Sequence, residues 1–137
     1  MKLPTLSELL VYENQQVVRH FCHCHPAFSY EQGKELFTDL LGWMWLNAYR
    51  QKSNRPTYLF GPLLNLDEIW HSFILHTRDY SNFCHTYFDD YLHHNVELVG
   101  FEYELSSEEL TEFLNDCFDH LGEGWINRNF TAALSDI

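Results

Sequence analysis

Asn65-Leu66-Asp67-Glu68-Ile69-Trp70-His71-Ser72-Phe73-Ile74-Leu75-His76-Thr77-Arg78-Asp79-Tyr80-Ser81-Asn82-Phe83-Cys84 is the stretch whose reading decides the fold. Its apolar residues recur at helical spacing, and an acid, two histidines, a tyrosine and a cysteine are set among them. Neither proline nor glycine occurs from Asn65 to His94. Asn65 to Glu68 reads as a capping box with asparagine as the cap. One unbroken helix to His94 is uncommon in a small domain, and Thr77-Arg78-Asp79 suits the start of a second helix. The pattern therefore predicts two helices meeting at an angle near Thr77.

Toward the N-terminus, Leu6, Leu9, Leu10, Val17, Val18 and Phe21 predict helix over residues 5–24, interrupted near Asn14 and closed by Pro26. Ser29-Tyr30-Glu31-Gln32 is a capping box opening a helix to about Tyr49. Its face of Leu36, Leu40, Trp43, Leu46 and Ala48, widened by Leu41 and Trp45, marks it as central. Pro56, Gly61 and Pro62 make residues 51–64 a loop. Toward the C-terminus, Val96 to Leu105 is β-prone but has no partner strand, so an extended connector is expected there. Ser106-Ser107-Glu108-Glu109 caps a helix to Leu121, Gly122 ends it, and Trp125, Ile126 and Phe130 are expected to pin the tail. The sum is a single all-α domain over residues 1–137, a compact bundle of about five helices with an extended connector near residues 96–105.

A chain of 137 residues suits one domain and can bury about two-thirds of its unfolded surface without disulfide or metal. The net charge of −12, with only eight Lys and Arg, argues against nucleic acid and anionic membranes as partners. No apolar run is long enough to span a bilayer. The opening Met1 to Glu8 lacks the apolar centre of a signal peptide. A cytoplasmic location is expected, with export lacking a cleaved signal left open, and Cys22, Cys24, Cys84 and Cys117 are expected as reduced thiols.

Asp67 and His71 are four residues apart, so the carboxylate can accept the imidazole N–H on one helix face. That pair serves a metal shell, a general base or a buried polar lock equally well. His71, Tyr80 and Cys84 converge only if the chain bends near Thr77; otherwise His71 and Cys84 lie about 20 Å apart. His20-Phe21-Cys22-His23-Cys24-His25 is rich in metal ligands but poorly spaced for zinc; His20 and Cys24 are its i,i+4 pair. A composite site of His20, Cys24 and a later residue such as His71 or His93, holding zinc or another transition metal, is the metal reading. The alternative is ordinary helix-end histidine chemistry before Pro26. Of His93 and His94, one can face inward and the other cannot. No G-x-S-x-G, P-loop, dinucleotide fingerprint, H-E-x-x-H or EF-hand loop occurs.

The run from Leu66 to Tyr80, through Phe83-Cys84 and on to His93-His94, resembles the glycine-rich-domain-containing-protein-like family, a group of small and largely uncharacterised domains. The resemblance implies Asp67, Trp70, His71, Tyr80, Cys84 and one of the two terminal histidines, His93 or His94, as signature positions. It departs at Asp89-Asp90, where a glycine is usual, and at Asn95-Val96, where a proline often follows the histidines. It implies a fold and a signature, not a reaction.

Two functional readings stand. The first is a small acidic non-catalytic domain, without cofactor, that docks on a partner protein through a basic or apolar patch and regulates or inhibits it. A homodimer fits that reading too. The second is a metal-dependent or Cys–His enzyme built on Asp67, His71, Tyr80 and Cys84. The missing catalytic set leans the reading toward the first.

Overall fold

Asn14 divides the N-terminal helical pattern in two. In the computed structural model, which describes residues 1–94 and 105–131, its side chain accepts the Val17 amide and starts α2 (Gln15–Cys24). Ahead of it lies α1 (Leu6–Leu10), capped by Thr5. Each cap satisfies a backbone amide that the first turn leaves without a partner. α3 (Tyr30–Gln51) opens at the Ser29–Gln32 capping box, whose two hydrogen bonds are both formed. Its Leu40, Leu41, Met44, Leu46 and Ala48 are fully buried, and it packs against α1, α2 and the next helix.

That next helix begins differently from expectation. Gly61-Pro62-Leu63 forms a 3-10 turn that runs straight into α4 (Leu64–Leu75). Pro62 presets a helical φ, so the chain is already helical at Asn65, and the expected Asn65–Glu68 capping box does not form. The expected bend does form. The chain turns at His76 (φ −83°, ψ 68°) and resumes as α5 (Thr77–Phe88), with His76 and not Thr77 at the cap position. Two contacts to the α2 region hold the corner: His20 Nδ1 lies 3.1 Å from His76 Nε2, and Asn14 donates to Asp79 at 3.0 Å. α5 ends at Asp89, in the left-handed region at φ 53°.

α6 (Ser107–Asp116) opens at the Ser106–Glu109 capping box, with both bonds present. A π-helical turn, Cys117–Leu121, follows and ends at Gly122 with φ 91°. α7 (Glu123–Ile126) and a second π-helical turn, Asn127–Thr131, complete the described tail. Among the described residues there are seven α-helical segments and no strand, so the all-α reading holds with more and shorter helices than five. The connector expected near residues 96–105 lies, apart from Leu105, outside the described residues. No described helix is long and apolar enough to cross a membrane.

Buried polar groups tie the later elements to α3. The Trp125 indole donates to the Asp39 carbonyl at 3.0 Å, and the Asp39 carboxylate accepts two bonds from Arg128 and one from Asn129. Arg50, 2% exposed, pairs with Asp116 and donates to the Pro56 carbonyl at 2.9 Å. A charge that deep is tolerated because its partners replace water. Asp116→Ala would strip Arg50 of its carboxylate and should cost about 3 kcal/mol. Urea denaturation should show that loss, while Glu13→Ala, at the exposed Lys34 pair, should leave the midpoint unchanged.

Candidate functional site: an aspartate between two histidines

α4 places Asp67 and His71 one turn apart, and Oδ2 of Asp67 lies 3.4 Å from Nε2 of His71. The other carboxylate oxygen is taken from outside the helix: His94 Nε2 lies 2.5 Å from Asp67 Oδ1. His94 arrives there because the chain after α5 is fastened back over α4. The buried Trp70 indole donates to the Tyr80 hydroxyl at 3.0 Å, and that hydroxyl donates to the Leu92 carbonyl. Leu92 is buried, and two residues on the His94 ring rests on Trp70 at a centroid distance of 4.4 Å and on His71 at 4.7 Å.

The cluster is graded from inside to outside. Side-chain exposure is 14% for His94, 22% for Asp67 and 50% for His71. One ligand atom from each of the three lies within 4.8 Å of the others. Ligands of a tetrahedral ion sit about 2.0–2.2 Å from it, hence roughly 3.5 Å from one another, so small side-chain shifts suffice to bring all three onto one ion. Asp67 also sits in the first turn of α4, where negative charge is favoured.

The remaining sequence-picked residues fall elsewhere. His93 is exposed and stacks on Tyr91 at 4.7 Å; the inward histidine is His94. Leu92 is buried and His94 rests on α4 while His93 between them is exposed, as alternate residues of a non-helical segment can be. Tyr80 and Cys84 are sealed inside, 0% and 1% exposed. Burial, above all, pushes the Tyr80 phenol and the Cys84 thiol up from their ordinary values. A protonated, buried thiol is no nucleophile. The bend near Thr77 thus buries Tyr80 and Cys84 as interior packing beneath the cluster.

The composite of His20, Cys24 and His71 is not assembled. His20 is paired with His76, Cys24 is exposed, and the ligand group found among the described residues is Asp67, His71 and His94. Sequence reasoning placed His71 and Asp67 together but had no periodicity to follow beyond α5. The carbonyl contact that brings His94 home leaves no mark in side-chain identity.

The chain matches a family model described as UCP032817-like over residues 10–115, a span that holds α2 to α5 and every residue of the cluster. This match overturns the resemblance to the glycine-rich-domain-containing-protein-like family. Of the residues that carried the resemblance, Trp70, Tyr80 and Cys84 are buried in the core. No curated protein and no solved structure matches the chain.

Burial holds Tyr80, Cys84 and Cys117 above their ordinary values, Cys117 pushed up to about 12. The folded protein therefore keeps protons that the unfolded chain gives up. Their stabilising effect is complete below the unfolded thiol value, about 8.5, and declines as pH rises through it and through the phenol value, about 10. Urea midpoints measured from pH 7 to pH 11 should fall across that window. Tyr80→Phe should flatten the upper part. It should also lower stability at pH 7 by about 2 kcal/mol, because Trp70 N–H and Leu92 C=O lose their partner.

Proposed function

We propose that this chain, which belongs to the UCP032817-like family, is a metal-dependent domain that holds one divalent transition-metal ion through Asp67, His71 and His94. The observation that carries the proposal is the convergence of two imidazole nitrogens and a carboxylate oxygen from α4 and the segment after α5. Two imidazoles and one carboxylate suit zinc, iron or cobalt and are too few to close a structural zinc site. A bound ion would keep a further position for water or a substrate, and the half-exposed His71 is where the cluster meets solvent. The partly buried His94 ring is backed by the Trp70 ring, which supports the ligand from behind.

The docking reading draws on less. Among the described residues, the exposed large apolar side chains are Met1, Val11, Leu64, Leu75, Tyr91 and Phe118, spread over the N-terminus, the end of α1, both ends of α4 and two further segments. The charge of −12 bears on either reading: it favours neutral or basic molecules at the surface.

Equilibrium dialysis against Zn(II) or Co(II) should load one ion per chain. Asp67→Ala and His94→Ala should each weaken that binding at least tenfold, and His71→Ala should do the same. Affinity should be lower in acid, where protons compete with the ion for its ligands. Uptake that is absent, or indifferent to all three substitutions, overturns the proposal.

A further inference from the structure

α4 carries Asp67-Glu68-Ile69-Trp70-His71. Two candidate ligands stand at i and i+4, and a glutamate stands at i+1. In H-E-x-x-H helices that same placement puts two zinc ligands on one face and the general base beside them. Here aspartate takes the place of the first histidine. We infer that Glu68 is the general base of this site and that the reaction is hydrolysis of an ester or amide bond in a neutral or cationic substrate. This rests on the metal reading above.

Glu68 is less committed than its neighbours. Asp67 is occupied by His71 and His94, and Tyr80 and Cys84 are sealed from water. The Glu68 side chain is 49% exposed. It precedes His71 by three residues, so the two are surface neighbours on the helix. Its contact in the fold is His25 Nε2 at 3.5 Å. His25 Nδ1 donates to the Phe21 carbonyl at 3.0 Å. Both side chains of the His25–Glu68 contact are partly exposed, so it holds Glu68 only weakly.

The step balances with water as the second reactant. Glu68 takes a proton from the attacking water as its oxygen bonds to the acyl carbon. The C–N or C–O bond then breaks, and Glu68 passes that proton to the departing amine or alkoxide. The products are a carboxylic acid and an amine or alcohol, and the glutamate is regenerated. A bound ion would contribute a more acidic water and a polarised carbonyl. The charge of −12 turns away polyanionic substrates.

The test compares Co(II)-loaded wild type with Glu68→Gln, a surface change that should leave the melting temperature alone. Two quantities are read: the pH midpoint of the Co(II) visible spectrum, which follows deprotonation of the metal-bound water, and hydrolysis of p-nitrophenyl acetate. The variant should bind Co(II) within about threefold of wild type and shift the midpoint. It should lose about 10²-fold or more in rate, as general-base loss does. Glu68→Asp should recover part of the rate. A midpoint and rate matching wild type overturn the role of Glu68, and a loaded wild type that leaves the ester intact overturns the hydrolytic assignment. Failure of wild type to take up Co(II) at all strikes the metal reading itself, a result distinguishable from either.

Discussion

The Tyr80 hydroxyl is the joint on which this structure depends. It is fully buried at the corner between α4 and α5, where an unpaired hydroxyl would be costly. It avoids that cost by accepting from Trp70 and donating to Leu92. Those two bonds fix three things at once: the rotation of α4, the angle to α5 and the path of the chain after α5. The position of His94 follows from the third. A side chain deep in the core thus decides whether a surface cluster exists, and replacing it by an apolar residue would sever sequence from site.

The helix framework was legible in the sequence to the extent that local chemistry sets it. Ser29, Asn14 and Ser106 cap their helices as their side chains dictate, and Gly122 sits at positive φ where a helix must end. The corner near Thr77 was legible too, because a small domain has little room for a longer helix. Asn65 misled because a proline three residues earlier had already set the backbone. Buried ion pairs such as Asp39–Arg128 and Arg50–Asp116 join residues far apart in sequence and leave no local pattern to read.

The site divides along the same line. Asp67 and His71 belong together by helical spacing alone. His94 joins them through a backbone carbonyl, and no residue type announces which carbonyl a tyrosine will find. The histidine and cysteine run before Pro26 attracted attention by composition, yet its members are shared among a histidine pair, a carbonyl contact and solvent. Ligand density along a chain is a weaker guide than ligand convergence in space.

The Asp39 clamp has a consequence for the order of events in folding. Arg128 and Asp39 are 89 residues apart, so their contact closes one of the longest loops in the chain. Contacts among α1, α2, α3 and α4 span shorter separations and repay their ordering entropy sooner. The tail is therefore expected to dock after them and to open before them. Since one face of the Arg128 side chain remains in contact with water, such opening has a low barrier to start from. The protein would then pass through a state in which α3 has lost its C-terminal cover while the Asp67 cluster on α4 is still intact, a partial opening that uncouples the lifetime of the site from that of the whole fold.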